Sequence, residues 1–350
     1  MRARSGLRDD AIGLAAGAGG RAMRELIEEV FVKGAAGGGA FESADAVGLA
    51  ALDDGAALRV GDRWLVVTTD SHVIQPVFFP GGDIGRLAVA GTVNDLAMMG
   101  ATEVTALTCG VILEEGFARA DLERIQRSVR DACAQARAPI VTGDTKVMGR
   151  GEMDGIVLNT TGVAFTERVV PDAGLRPGDR ILVTGTVGDH GLAVLAARNE
   201  LDLQADLRSD VAPINDLIRA ALAAGGEGVH AMKDPTRGGL ASALHEMASK
   251  SRVGVVLREP DVPVAPAVRS AGELLGIDPL HVANEGKALL GVAPEVAGTV
   301  LGALRAHPQG AAAAIVGTCN EEHVGSVVLD TGFGRRLLAE PEGEPLPRIC

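Results

Sequence analysis

From about residue 45 to about residue 330, short β-rich runs alternate with helix-period segments, and this alternation narrows the possible folds more than any other feature. Strands that take turns with helices build layered α/β or α+β architectures, with mixed sheets flanked by helices. RWLVVTTD reads as a strand, DIGRLAVAGTVNDLAMMG as a helix, VTALTCGVIL as a strand and residues 120–137 as a helix. APIVTGDTKV and GIVLNTTGVAF follow as strands, and RILVTGTVGDHGLAVLAA reads as strand, turn and helix. In the 120–137 helix, Leu122, Ile125, Val129 and Cys133 share one face. A length of 350 residues suggests about two domains, and the Pro/Gly-rich stretch at 171–178 is the best boundary. The expected organisation is a Gly/Ala-rich segment at 1–40, an N-terminal domain at 41–170, a second α/β domain at 171–338, and a flexible tail at 339–350.

Composition excludes some functions. A formal net charge of -13, with 2% aromatics and no Tyr, does not suit a nucleic-acid surface, which needs a basic patch and stacking rings. Nucleotides stay open, because Gly-rich backbone, Lys and metal hold their phosphates. MRARSGLRDDAIG starts basic but meets two acids before any apolar run, so no signal peptide is expected. No stretch approaches the ~20 apolar residues of a membrane span. A cytoplasmic location with reduced thiols follows as the expectation, and the Asn159-Thr160-Thr161 sequon would be idle.

The four cysteines lack CxxC spacing, so neither a zinc site nor a dithiol pair is expected. Cys109, Cys133 and Cys319 fall in apolar runs and read as small core residues. Cys350 differs, because EPEGEPLPRIC is polar and punctuated by proline, and packing gives no reason for a thiol there.

Familiar site motifs fail. Gly185, Gly188 and Gly191 miss the G-x-G-x-x-G spacing. LHEMASK has Ser249 where a zincin needs its second His, and neither a P-loop nor a G-x-S-x-G elbow is present. Acidic motifs remain, mostly where strands run into loops: LDDGAAL (Asp53, Asp54), VTTDSHV (Asp70, His72), TVNDLAMMG (Asn94, Asp95), VTGDTKV (Asp144, Lys146), MKDPTRGGL (Asp234, Arg237) and ANEGKALL (Asn284, Glu285, Lys287). Strand-end carboxylates of an open α/β sheet face the crevice where ligands bind. Clustered carboxylates repel unless a cation lies among them, and Mg²⁺ suits such oxygen donors together with substrate phosphates. The expected metal ligands are therefore Asp53, Asp54, Asp70, Asp95, Asp144 and Asp234. The expected nucleotide-binding residues are Asp54, Asp70, Asn94, Asp95, Gly143, Asp144, Asp234, Arg237 and Asn284. Only five residues are lysine (33, 146, 233, 250 and 287), and three of them lie in these motifs. A lysine can approach a phosphate as a compact charge. Lys233 and Lys287 read as structural ion pairs, whereas Lys146 is open to either role.

LDDGAAL, TTDSHV, GRLAVAGTVNDLAMMGA, TGDTKV, DPTRGGL, NEGK and PRIC, in that order and spacing, resemble the HypE family of hydrogenase maturation proteins. That family lies within the ATP-using superfamily of aminoimidazole-ribonucleotide synthetase and selenophosphate synthetase. The resemblance covers residues 13–350. NDLAMMGA and TGDTKV carry the superfamily, and PRIC selects the family. There is one departure, AAGAGGRAM, which stands where family members carry a His and a glycine run. The resemblance implies a two-domain ATP-binding fold, ATP and Mg²⁺ as cofactors, and a homodimer formed through the N-terminal domain. It implies partners in a carbamoyltransferase, HypF, and an iron-carrying HypC–HypD complex, and an ATP-dependent dehydration of a carbamoyl group carried on Cys350 to a thiocyanate. The cyano group would then become a ligand of the iron of [NiFe]-hydrogenase. In that chemistry Lys146 would stabilise phosphoryl charge and Glu285 would be the general base. Two alternatives stand beside it. Another superfamily enzyme is one, yet a selenophosphate synthetase needs an early Cys followed by Lys, and no Cys precedes Cys109; a thiamine-phosphate kinase needs no tail thiol. A metallochaperone is the other, although one tail thiolate offers too few ligands.

Overall fold

A computed structural model describes residues 12–13, 20–33, 46–201 and 206–340. Helix α1 (Gly20–Leu26) continues into a π-helical stretch, Ile27–Val32. The first sheet has the order β1-β2-β3-β8-β6-β7. Its strands are β1 (Ala46–Val47), β2 (Ala56–Val60), β3 (Arg63–His72), β6 (Val104–Glu114), β7 (Ile140–Met148) and β8 (Ile156–Thr166). All pairings are antiparallel except β6 with β7. A small ribbon of β4 (Phe78–Phe79) and β5 (Gly82–Asp83) precedes α2 (Ile84–Met98), and α3 (Arg119–Ala136) joins β6 to β7. The Asp83 carboxylate caps α2 by accepting from the N–H groups of Gly85 (2.8 Å) and Arg86 (3.1 Å).

Alternation along β8 decides which face is covered. Ile156, Leu158, Thr160, Gly162 and Ala164 are buried, while the residues between them are only half-buried. Helix α2 lies on the covered face and is buried nearly all round, as expected of a helix enclosed on every side. The predicted face of α3 is the one that packs: Ile125 and Val129 are buried, and Leu122 and Cys133 adjoin them. At the sheet edge, β7 is exposed from Val141 to Val147.

The second sheet has the order β10-β12-β9-β13-β11-β14-β15. It comprises β9 (Arg180–Val183), β10 (Val229–Lys233), β11 (Gly254–Arg258), β12 (Leu289–Val292), β13 (Ala314–Asn320), β14 (Val327–Asp330) and β15 (Arg335–Leu337). The remaining helices are α4 (Asp189–Arg198), α5 (Asn215–Gly225), α6 (Gly239–Ser251), α7 (Pro266–Leu275) and α8 (Pro294–Ala306). Within β9, Ile181 and Val183 pack towards α6, whereas Leu182 packs towards α5 and α8. Ala97 and Met98 at the end of α2 enter that latter core, so α2 is the spine shared by both halves. Among the described residues no helix is long and apolar enough to cross a membrane. Cys319 is buried, Cys109 and Cys133 are half-buried, and burial pushes the Cys133 and Cys319 thiols up to about 11 and about 12.

Candidate active site

A cleft of ≈ 390 Å³ opens between the two halves, lined by Asp70 and His72 of β3, Gly91 and Asp95 of α2, and Asp234, Thr236, Arg237 and Glu285 of the second half, with Met23 of α1 at its side. Sequence periodicity makes this convergence. In β3, Asp70 and His72 are two residues apart and stand opposite Thr160 and Leu158 of β8, which are both buried. They therefore face α2. On α2, Gly91 and Asp95 are four residues apart and share one face. A Cβ on Gly91 would lie 2.8 Å from His72 Cε1 and 3.5 Å from Asp70 Oδ2, so a helix-interior glycine, normally unfavourable, lets the strand approach. Hydroxyls hold the two carboxylates: Thr92 Oγ1 donates to Asp70 Oδ2 (3.2 Å), and Thr68 Oγ1 to Asp95 Oδ2 (2.7 Å).

The loop between β10 and α6 carries Asp234, Thr236 and Arg237. It turns through Gly238 and Gly239, both at positive φ, and a Cβ on Gly239 would stand 2.5 Å from Val282 O. Asn284 ties this loop to its neighbours: Oδ1 accepts from Gly188 N (2.8 Å), while Nδ2 donates to Pro235 O (3.3 Å) and Val282 O (3.1 Å). Asn94 likewise accepts from Ile214 N (2.9 Å) and donates to Ala212 O (3.1 Å) and Glu285 O (3.3 Å). Both amides were expected on the nucleotide. Their hydrogen-bonding capacity goes instead to bracing the loops that carry Asp234 and Glu285.

The electrostatics are those of carboxylates gathered out of water. Burial, then Asp70, Asp234 and Asp54, hold Asp95 well above the ordinary range; burial, then Asp54 and Asp70, do the same for Asp234. Glu285 is raised by burial and by Asp234, Asp210 and Asp70, with Arg237 opposing. Among the described residues its Oε1 is buried without a hydrogen-bond partner. Burial lowers His72, which Asp70 only partly offsets. Among the described residues no three His, Cys, Asp or Glu side chains already stand as a metal-binding group. The donor set nevertheless suits a hard cation: the Asp70 charge raises both Asp95 and Asp234, and one or two carboxylates plus phosphate oxygens complete a Mg²⁺ shell.

Two expected groups do not line this cleft, although Asp54 is near enough to raise Asp95 and Asp234. Asp53 Oδ1 accepts from Asp54 N (2.9 Å) and Oδ2 from Asp172 N (3.2 Å); burial, then Asp172 and Asp54, push its carboxyl up to about 7. Asp54 pairs with Lys233 (2.5 Å), which also reaches Asp172 and Glu246, each at 3.5 Å. Backbone N–H groups take both Asp53 oxygens, whereas Asp54 gives Oδ1 to Lys233 and, among the described residues, keeps a buried Oδ2 without a hydrogen-bond partner, so of the two only Asp54 retains an oxygen for a cation. Lys233 is thus the ion-pair lysine the sequence suggested, and Lys287 pairs with Asp210 at 3.0 Å.

Asp144 and Lys146 are on β7, and strand register separates them from the cleft. Asp144 stands level with Gly110, Asn159 and Ser71 on successive strands, whereas Asp70 is level with Thr160, Cys109 and Gly143. Within one chain they are about 14 Å from β3 and on the opposite face from Asp70. Gly143 serves strand pairing, since a Cβ there would meet Cys109 O at 2.2 Å. Cys350 lies outside the described residues. The sequence reading missed Gly91, Thr68, Thr92, Thr236 and Met23; only the mid-helix glycine carried a local signal.

Two family models cover most of the chain: "AIR synthase related protein, N-terminal domain" matches residues 52–166 and "AIR synthase related protein, C-terminal domain" residues 176–330. The carbamoyl dehydratase HypE of Bradyrhizobium diazoefficiens is 46% identical over 352 residues, covering 98% of this chain and 97% of that protein. The fold is similar to HypE in a solved HypE–HypF complex, with a TM-score of 0.82, 41% identity, and coverage of 90% of this chain and 99% of that one. It is also similar to a HypE solved with ATP, at TM-score 0.79 and 42% identity, covering 95% and 98%.

Proposed function

Because this chain belongs to the HypE family of AIR synthase related proteins, we propose that it dehydrates a carbamoyl group on Cys350 to a thiocyanate at the expense of ATP. The observation that carries the reading is the buried Glu285 carboxyl, whose Oε1 has no hydrogen-bond partner among the described residues, in a cleft lined by Asp70, Asp95, Asp234 and Arg237. An amide oxygen is a poor leaving group. Attack of that oxygen on the γ-phosphorus, with loss of one N–H proton, gives an S-bound iminophosphate and ADP. Loss of the second N–H proton and expulsion of phosphate then leaves S–C≡N, so the sum is carbamoyl thioester plus ATP to thiocyanate, ADP and phosphate. Glu285 takes the proton, since burial and the neighbouring carboxylates raise its proton affinity above that of a free carboxylate. Arg237, in the loop that opens α6, binds phosphate oxygens. Asp70, Asp95 and Asp234 would hold Mg²⁺, which when bound neutralises phosphate charge and favours the ionised form of nearby carboxyls.

The group on Cys350 comes from a HypF carbamoyltransferase, and the product passes to an iron-carrying HypC–HypD complex in the cytoplasm. Incubation with ATP, carbamoyl phosphate and that transferase should yield a C-terminal peptide carrying carbamoyl minus one water. Recovery of the carbamoyl form alone, by mass measurement, would reject the reaction.

In this reading Asp144 and Lys146 act from a second copy. Among the described residues β7 is the edge strand, with backbone groups unpaired on its outer side, and it exposes Val141 (62%) and Val147 (64%), a surface suited to self-pairing. Light scattering should give about twice the 35.8 kDa chain mass. A monomer at micromolar concentration would remove Lys146 from the site.

Asp70→Ala and Asp95→Ala should each abolish Mg·ATP binding with the fold intact. Calorimetry showing wild-type affinity in either variant would take that residue out of the nucleotide site.

A further inference from the structure

The base sits on a loop that is gripped at its backbone. Asp210 accepts from Glu285 N through Oδ1 (3.1 Å) and from Gly286 N (3.2 Å) and Lys287 Nζ (3.0 Å) through Oδ2. Its side chain is 4% exposed. Gly286 is required by this approach, because a Cβ there would stand 2.0 Å from Asp210 O. The Glu285 carbonyl is held from the other side, accepting from Asn94 Nδ2 (3.3 Å) and Ala212 N (3.3 Å). Both peptide groups flanking the base are thus fixed, and Asn94 belongs to the same helix as Asp95.

We propose that Asp210 is a positioning residue for the reaction, which fixes the Glu285 backbone so that its carboxyl meets the substrate proton; this rests on the role of Glu285 proposed above. The clamp explains N-E-G-K letter by letter. Asn284 braces the neighbouring loop, Glu285 reacts, Gly286 admits Asp210, and Lys287 neutralises it. The Asp210 carboxylate touches none of Asp70, Asp95 or Asp234 through a hydrogen bond, so its loss should affect turnover and spare nucleotide binding.

Asp210→Asn keeps shape but leaves one oxygen to serve two N–H groups, and it strands the Lys287 ammonium. We expect the dehydration kcat to fall about 10–100-fold, as for a misplaced catalytic group, with the KM for ATP unchanged. Amide exchange at Glu285 and Gly286 should quicken. The double variant Asp210→Asn/Lys287→Met removes the stranded charge and should recover thermal stability without recovering kcat. Recovery of kcat together with stability, a parallel rise in KM for ATP, or unchanged exchange at the two amides would each overturn the proposal. Exchange is read without turnover. A wild-type protein that fails to dehydrate therefore counts against the proposed reaction, while the exchange measurement still decides the clamp.

Discussion

Replacing Glu285 by Gln should lower the dehydration rate by about 10²–10⁴ and leave ATP affinity at the wild-type level. Gln has the same shape and keeps the backbone clamp of Asp210 and Asn94, so the loop stays in place. What disappears is the ability to accept a proton. Glu285 is 4% exposed, and no solvated group can take its place without entering the cleft. Single-turnover measurement with a pre-carbamoylated protein isolates the chemical step. Dehydration at close to the wild-type rate would show that another group is the base, and Asp234, the largest charge influence on Glu285, would be the next to test.

Replacing Cys350 by Ala should remove every carbamoylated and cyanated species while ATP binding persists. A thiolate is the nucleophile, and an ordinary exposed Cys has a pKa of about 8.5. The other thiols are poor substitutes: burial holds Cys133 up to about 11 and Cys319 up to about 12, and it raises Cys109 too. The reach is adequate. The segment departs from Glu340, which pairs with Arg24 of α1, next to Met23 at the cleft. His245 Nε2 pairs with the Leu338 carbonyl at 2.9 Å and fixes the root. Ten extended residues span up to ~33 Å. Mass spectrometry that finds a carbamoyl or cyano group elsewhere on the Cys350→Ala protein would displace Cys350 as carrier.

Much of this was legible in the sequence because it depends on local periodicity. Alternation placed β3, β6, β7 and β8, and helical spacing placed the Ile125 and Val129 face of α3. The acidic motifs were visible as strand-to-loop carboxylates, and the scarcity of lysine marked Lys233 and Lys287 as special. Sequence order alone did not say which motifs meet. Asp53 and Asp54 read like Asp70 and Asp95, yet backbone N–H groups hold Asp53, and Lys233, 179 positions away, pairs with Asp54 Oδ1. Asp144 resembles Asp70 in its motif, yet register turns it to the other face of the sheet. Asp210 had no motif at all and emerged only where two loops touch. Secondary structure follows from side-chain periods of two and 3.6 along the chain. Ion pairing and register depend on which distant segments pack, and that is decided by burying α2 between the two halves.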